Sequence, residues 1–407
     1  MSTYGNETTQ SKSSEFQSPR SWRIWTTAWM VTAVFILSNS TTPLYVHWQR
    51  EIGFSNGMLT LVFAAYIVGL LITLLVAGQL SDRFGRKLVL FPGLIAAVFA
   101  CLLFATASSV TVLLIGRFLS GMAVGVIVSA GMASVVDVGG PSRRQSASLT
   151  ASVAMVLGAG LGPLFAGVLA VTLDRPVVPI FGVELVVLVT AFVVTGTLPK
   201  YRVHFHKQNN WSLNLPSVAK INRLDLAFGI AVFAPGITAT SFVLSLGPSL
   251  LSKLLHVTSP LIAGGTACIM FLTATGVQFV VKKLHVRTIF LMGASATIIS
   301  MVSIAVAVNT SVAVFLVISA VLAGAGQGLG QLGGLSLIGL HVPEHRRAEA
   351  NAVLNIGGYI PAAILPVCTG YLIDATGLAI GATAFAVMLS VVAFGAALFV
   401  RSQLRRD

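Results

Sequence analysis

The chain has 407 residues, of which 56% are hydrophobic and only 9% are charged. A soluble protein of this length does not need so much apolar surface, so the composition indicates an integral membrane protein. The formal net charge is +13, but nearly all of the cations lie in the loops and tails outside the apolar segments, so we expect no nucleic-acid partner. The three cysteines all lie within apolar segments, which argues against a disulfide framework.

Twelve apolar segments follow one another along the chain, each about the length that crosses a bilayer. The first six are Trp25–Tyr45, Gly57–Leu80, Leu88–Ala107, Thr111–Val135, Ala147–Leu169 and Val178–Leu198, and the second six are Leu224–Leu246, Leu261–Val281, Thr288–Val308, Val312–Leu340, Ala350–Ile373 and Leu378–Val400. The sequence therefore predicts an all-α integral membrane protein with twelve transmembrane helices in two six-helix bundles, residues 22–198 and 224–400. Residues 1–21 are predicted to be a disordered tail, 199–223 a central loop and 401–407 a second tail.

Lysine and arginine are distributed unevenly between the loops on the two sides of the membrane. Of the 25 in the chain, only Arg50, Arg175 and Lys253 lie in loops of one side, and Arg117 lies within a segment. Because positive charge marks the cytoplasmic side, both tails and the central loop are expected in the cytoplasm. We expect a multi-pass protein of the plasma (inner) membrane, surrounded by the lipid bilayer.

An internal repeat relates the two sets of segments. Arg144 precedes the fifth segment and Arg347 precedes the eleventh, and both follow a proline within a few residues. Gly167 and Gly370 lie at the same offset in sequence as these two arginines. Pro43 and Pro248, near the ends of the first and seventh segments, lie at nearly the same offset. These matches favour a duplication, which predicts two pseudo-symmetric bundles facing each other across a cavity.

The connection between the second and third segments, Gly78–Lys87, carries charge and glycine together. Gly78 and Gly85 would permit a tight turn, and we expect Asp82 near the start of the following helix, where a carboxylate complements the positive helix end. An ordinary positive-inside loop would explain Arg83, Arg86 and Lys87, but not the spacing of glycine and aspartate. The stretch resembles the loop between helices 2 and 3 of the major facilitator superfamily of transporters, whose G-x-x-x-D-R-x-G-R-K pattern it matches throughout.

This resemblance implies a carrier that works by alternating access. In similar transporters an acid at the end of helix 4 joins the loop in a charge network that latches one conformation. Asp137 ends the fourth segment, so Asp82, Arg86 and Asp137 are expected to form that latch. The alternative is that Asp137 is simply solvated at a helix end.

Arg117 is the only cation within a predicted segment. A charge inside the membrane costs roughly 2.5–3.5 kcal/mol on insertion scales, which makes it a functional candidate. With Gly121 four residues later, the stretch resembles the helix 4 motif that the family associates with proton coupling. Alternatively, Arg117 binds backbone carbonyls and hydroxyl groups and holds the bundle together.

The fifth segment contains closely spaced small residues, Gly158, Gly162, Pro163 and Gly167. Glycines at a spacing of four let helices approach closely, and Pro163 removes a backbone hydrogen bond. The stretch resembles the helix 5 motif of antiporters within the superfamily, G-x-x-x-G-P-x-x-G-G, and departs from it at Ala166. A general packing face is the alternative.

Proton coupling also requires an acid that can bind and release a proton, and the first segment contains none. Glu184, in the sixth segment, is the best remaining candidate, since Asp225 and Asp374 lie at segment ends where an interfacial position is expected. The alternative is that Glu184 lies close enough to the membrane surface to stay solvated.

The expected cavity lining is uncharged and rich in amides, because polar residues in a membrane helix tend to face protein or water. It comprises Asn39, Thr42, Tyr45, Gln278, Gln327, Gln331, Asn351, Asn355 and Tyr359. Such a lining suits a neutral or cationic organic molecule better than a phosphate, which would require converging cations.

The sequence and the resemblance together predict a secondary transporter that exports a small organic molecule in exchange for protons. The sequence shows no nucleotide-binding loop, catalytic motif or metal-ligand cluster, so we expect no enzyme activity and no cofactor, with the proton gradient as the energy source. The partner is a small-molecule substrate, and a monomer is expected. Two alternatives stay open: an importer of a small nutrient on the same fold, and a membrane sensor or lipid-handling protein.

Overall fold

The computed structural model describes residues 21–198, 216, 219–253, 255–281 and 283–404, apart from the side chains of Asp82 and His345. Within this part of the chain the secondary structure is entirely helical. The twelve long helices are α1 (Ser21–Ser40), α2 (Asn56–Phe84), α3 (Arg86–Ala105), α4 (Val110–Val126, continued by a π-helical turn into Met132–Gly139), α5 (Arg144–Thr172), α6 (Val177–Thr197), α7 (Arg223–Lys253), α8 (Pro260–Val281), α9 (Val286–Thr310), α10 (Val314–His341), α11 (Arg347–Thr376) and α12 (Leu378–Gln403). The predicted tail at residues 1–21 and the predicted central loop lie almost wholly outside the described residues.

Eleven of these helices are long and apolar enough to cross a membrane. The remaining one, α1, has 20 residues, which is about 30 Å of helix and enough to span the hydrocarbon core. Helices dominate because a bilayer offers no partner for backbone N–H and C=O groups, so these groups must bond within their own segment. The prediction of an all-α protein with two sets of six helices is confirmed.

The first half, α1–α6, and the second half, α7–α12, repeat the same packing. In the first half, α1 packs against α5, α2 against α4, and α3 against α4 and α6. The equivalent helices of the second half make the same contacts: α7 packs against α11, α8 against α10, and α9 against α10 and α12. Between the halves, α5 packs against α8 and α11 packs against α2. These two contacts are themselves related by the repeat.

The structure corrects the sequence prediction for the loop Gly78–Lys87. Helix α2 continues through Gly78 and Asp82 and ends at Phe84. The chain reverses at Gly85 alone, whose φ of +94° is in the region that glycine adopts without steric cost. Asp82 therefore lies in the last turn of α2, not at the start of α3 as predicted.

The two ends of the helix bundle differ. We call the end that carries Gly85, Arg144, Arg223 and Arg347 the basic end, and the other the opposite end. At the opposite end the halves are joined by hydrogen bonds from Arg50 Nη2 to Ser252 Oγ (3.0 Å) and from Ser249 Oγ to Gln49 Oε1 (2.8 Å). A third set, described below, joins α2 to α11.

At the basic end, a groove lies beside α5. Near the opposite end α5 contacts α8 through Gly160, Pro163 and Gly167. At helical spacing the same face continues toward the basic end as Ser152, Leu149, Gln145 and Ser142, which line an open groove of about 610 Å³ together with Pro141, Arg144 and Ser148. The structure is thus closed at the opposite end by hydrogen bonds and close helix contacts between the halves, and an open groove lies beside α5 at the basic end.

Candidate functional site

Arg117 lies on α4 in the interior of the first half, with 3% of its surface exposed. Its Nη1 atom donates to the carbonyl oxygen of Ser38 at 2.7 Å and to the hydroxyl of Thr41 at 3.0 Å. Ser38 lies in the last turn of α1, where carbonyl groups have no backbone partner within their own helix, and Thr41 is the first residue after that helix. None of the ion pairs among the described residues includes Arg117. The side chain therefore ties α4 to the end of α1.

Three aromatic rings surround the Arg117 guanidinium. Its Cζ atom lies 4.8 Å from the ring centre of Tyr66, 5.4 Å from that of Phe63 and 5.8 Å from that of Tyr45. Such faces attract a cation electrostatically, and they help to stabilise the buried charge. The sequence analysis missed Phe63 and Tyr66. Their spacing of three along α2, which places them on one face, was the available signal.

Glu184 lies on α6 with 1% of its surface exposed. Neither carboxyl oxygen has a hydrogen-bond partner among the described residues. The neighbouring polar groups are the hydroxyl of Ser40, which donates to the carbonyl of Ile36, and the thiol of Cys101, which donates to the carbonyl of Phe181. The alternative that Glu184 stays solvated near the membrane surface is therefore wrong in this conformation.

An aromatic cluster separates Glu184 from the opposite end. The rings of Trp48 and Phe181 stack with their centres 6.1 Å apart, and Phe104 packs 5.4 Å from Phe181. All three residues are buried. Phe181 is one helical turn nearer to the opposite end than Glu184, so the cluster lies between the carboxyl group and the medium on that side.

Both candidate coupling residues contact the last turn of α1. Arg117 binds Ser38 and Thr41, whereas Glu184 neighbours Ser40, and no ion pair joins the two charged groups in the described part of the chain. Helix α1 ends at Ser40, close to Pro43, which has no N–H group to continue the hydrogen bonds of the helix. The chain then forms a 3₁₀ turn at Thr42–Leu44 and a short helix, Tyr45–Ile52.

The described charged side chains of Gly78–Lys87, at the basic end, contact other residues of the first half. Arg86 Nε pairs with Asp137 Oδ2 at 3.2 Å, and Arg86 Nη1 donates to Ser81 Oγ at 3.0 Å. Lys87 donates to the carbonyl oxygen of Gly196 at the end of α6, and the exposed Arg83 stacks on Phe84. The side chain of the third predicted latch residue, Asp82, lies outside the described residues.

The glycines of α5 serve two different contacts. A Cβ atom at Gly158 or Gly162 would lie 2.5 Å from a backbone oxygen of α1, that of Thr32 or Ile36. A Cβ atom at Gly167 would lie 2.8 Å from the carbonyl of Pro260 in α8, across the interface between the halves. The predicted close approach is thus present, and Pro163 lies within the continuous helix α5.

The nine predicted cavity residues fall into two groups. Thr42 and Tyr45 are buried at the closed, opposite end, and Tyr45 belongs to the aromatic rings around Arg117. The other seven, Asn39, Gln278, Gln327, Gln331, Asn351, Asn355 and Tyr359, are all partly or fully exposed. The Oε1 atom of Gln327 has no hydrogen-bond partner among the described residues. Six of these seven lie in the second half, whereas both buried charges, Arg117 and Glu184, lie in the first.

A sequence model of the Major Facilitator Superfamily matches residues 27–315 and 277–406. The chain belongs to this superfamily. Its members are transporters and not enzymes, so this protein is a multi-pass membrane transporter. In the described residues no group of three or more His, Cys, Asp or Glu could hold a metal ion.

Similar proteins within the superfamily differ in what they are named for. Multidrug resistance protein MdtL of Klebsiella pneumoniae is 37% identical over 76 residues, 19% of each chain. A triacylglyceride transporter of Mycolicibacterium smegmatis is 31% identical over 135 residues, 33% of this chain and 24% of that one. These matches span about a quarter or less of the relatives' length. The crystal structure of a D-xylose–proton symporter superposes with a TM-score of 0.73 at 16% identity, covering 94% of this chain and 98% of the other.

Proposed function

We propose that this transporter exports a small organic molecule in exchange for protons and that Glu184 carries the proton. The observation behind the proposal is a carboxyl group that is 1% exposed and whose oxygens accept no hydrogen bond among the described residues, because the neighbouring Ser40 hydroxyl and Cys101 thiol donate to backbone carbonyls. Burying an ionised carboxylate without a partner costs several kcal/mol. An unpaired acid in the interior of a membrane carrier is a functional candidate for that reason.

The position of Trp48 suggests how the proton would reach and leave Glu184. Trp48 stacks on Phe181, which lies one helical turn from Glu184 toward the opposite end, and Trp48 belongs to the short helix Tyr45–Ile52. The same helix carries Gln49 and Arg50, which bind Ser249 and Ser252 of the second half. Separation of the halves at this end would break both contacts and release the helix. Water could then reach Glu184 in the open state and be excluded in the closed one.

Arg117 would contribute through α1. Arg117 binds Ser38 and Thr41 at the end of α1. Ser40, in the same turn, neighbours Glu184. A change in the charge of Glu184 would therefore act on a turn that Arg117 also holds. Arg117 is a positioning residue in this proposal, and the proton need not pass through it.

The substrate would bind to the amide-rich second half, on the partly exposed side chains of Gln327, Gln331, Asn355 and Tyr359. An uncharged lining of this kind suits neutral or cationic organic molecules. We expect no bound cofactor, the proton gradient as the energy source and a monomeric carrier in the plasma (inner) membrane.

Export is favoured by the helix 5 motif and by the similarity to MdtL, which is named for multidrug resistance. A proton-coupled importer is the second candidate, because the fold superposes on a D-xylose–proton symporter. The similarity to a triacylglyceride transporter adds apolar lipids to the substrates that should be tried.

The test uses purified protein in liposomes with an internal pH dye and an imposed proton gradient. A panel of cationic and neutral lipophilic compounds, beginning with ethidium, is added one compound at a time. We expect compound-dependent proton flux that is lost in Glu184→Gln and retained in Glu51→Gln, an exposed acid at the opposite end. Equal flux in Glu184→Gln and in the parent protein would refute the role of Glu184, and no flux with any compound would refute proton-coupled export of this substrate class.

A further inference from the structure

Asp374, near the end of α11, binds the beginning of α2 in the other half of the molecule. Its Oδ1 atom accepts hydrogen bonds from the backbone N–H of Asn56 at 2.9 Å and from Asn56 Nδ2 at 3.1 Å, and its Oδ2 atom accepts one from the N–H of Gly57 at 2.8 Å. The first N–H groups of a helix have no partner within the helix and attract a negative charge. Asp374 thus caps α2, although it lies more than three hundred positions after Asn56 in the sequence.

Two glycines let the helices approach closely enough for this contact. A Cβ atom at Gly370 of α11 would lie 2.8 Å from the carbonyl oxygen of Asn56 and 2.9 Å from the Cα atom of Gly57. A Cβ atom at Gly57 would lie 2.6 Å from the ring of Tyr371. The backbones therefore touch where the carboxylate binds.

The internal repeat supplies a comparison within the same molecule. The counterpart of Gly370 is Gly167 of α5, which approaches Pro260 and Leu261 at the beginning of α8 in the same way. At the position that corresponds to Asp374, α5 carries Val171, and Pro260 has no N–H to donate. The α5–α8 crossing thus packs without a carboxylate cap. Packing at such a crossing does not require the acid, so the acid of the α2–α11 crossing calls for another explanation.

We propose that Asp374 is a gating residue that holds the opposite end closed by capping α2 across the two halves, and that this cap breaks each time the opposite end opens. The proposal requires a carrier that alternates between two states, but neither protons nor a particular direction of transport. Both partners lie at the end of their helices, where Asp374 is exposed. Water can therefore replace the hydrogen bonds when the helices separate, which keeps the lock reversible.

The variant Asp374→Asn removes the charge and keeps the size of the side chain. Hydrogen bonds to a charged group are stronger than those to a neutral group, and they weaken where water competes. We expect the ratio of open to closed molecules at the opposite end to rise about ten-fold or more. The variant Asn56→Asp should act in the same direction, because it places a second carboxylate against the first.

The measurement is the distance between two spin labels, in protein whose native cysteines have been replaced. Labels at the exposed Ser108 and Ser311 report on the opposite end, one from each half, and labels at the exposed Ser142 and Ser402 report on the basic end. Asp374→Asn is expected to lengthen the first distance and shorten the second. The control is Asp174→Asn, an exposed acid at the same end, which should leave both distributions as they are in the parent protein.

A double variant separates gating from a folding defect. Asn56→Asp combined with Asp374→Asn exchanges the amide and the carboxylate, so one hydrogen bond between them can form again. The closed population should return part of the way toward that of the parent protein. Unchanged distances in Asp374→Asn, or a double variant that is more open than either single variant, would overturn the proposal.

Discussion

Gly264 provides a direct test of how closely the two halves approach. A Cβ atom at this position of α8 would lie 2.1 Å from the carbonyl oxygen of Pro163 in α5 and 2.9 Å from its carbonyl carbon. A carbon and an oxygen atom in contact are normally about 3.3 Å apart, so Gly264→Ala must move the helices apart by about 1.2 Å. Backbone atoms cannot rotate away as a side chain can. We expect a loss of about 1–3 kcal/mol of stability, as is typical of overpacking.

The adjacent Gly265 is the matched control, because a Cβ atom there would meet nothing within 4 Å. Gly265→Ala should be neutral or stabilising by up to about 1 kcal/mol, since alanine favours a helix more than glycine does. Thermal unfolding of both variants in the same detergent measures the difference. Gly264→Ala is expected to unfold about 2–6 °C below the parent protein. Equal midpoints for the two variants would refute the close α5–α8 contact.

Three further variants test other contacts. Arg117→Lys keeps the charge but cannot reproduce the planar, forked donor group, so its unfolding midpoint should fall, whereas Arg223→Lys at an exposed position should not change it. Gly160→Cys would place a Cβ atom 3.3 Å from the sulfur of Cys268. In protein whose other cysteines, Cys101 and Cys368, have been replaced, mild oxidation should therefore link the halves and remove both thiols from maleimide labelling, and free thiols after oxidation would contradict the contact. Asp137→Asn removes a half-exposed ion pair, so stability should change by less than about 1 kcal/mol, while a larger loss would mean that the pair has a structural role beyond a latch.

The helices themselves could be predicted because a bilayer imposes their length and apolar composition. The limits of that inference appear at Gly78 and Asp82. Hydropathy shows that a segment ends near the charged residues, but the turn is made by the positive φ of Gly85 alone. Two glycines in one loop are equivalent in sequence, and only the backbone conformation distinguishes them.

The charged members of the site could also be predicted, because a charge in an apolar segment stands out. Their surroundings could not. Phe63 and Tyr66 are ordinary residues in an apolar helix until the fold brings them to Arg117. Trp48 likewise has no sequence signal that places it against Phe181, one helical turn from Glu184.

Asp374 illustrates a different limit. Its position at a helix end and near the membrane surface could be predicted from its place in the sequence. Its partners, Asn56 and Gly57, lie in the other half of the molecule. A contact between two halves depends on which conformation the carrier adopts, and no local pattern encodes that.

The central claim, exchange of an organic molecule for protons, is tested most directly by the sign of the coupling. Liposomes are loaded with the compound that gives the largest proton flux, and its efflux is followed with the exterior either more acidic or more alkaline than the interior. Antiport predicts faster efflux when the exterior is acidic, because protons then enter as the compound leaves, and it predicts no such acceleration in Glu184→Gln. Faster efflux with an acidic interior would show that the compound and the proton move together, and it would replace the exporter with a symporter.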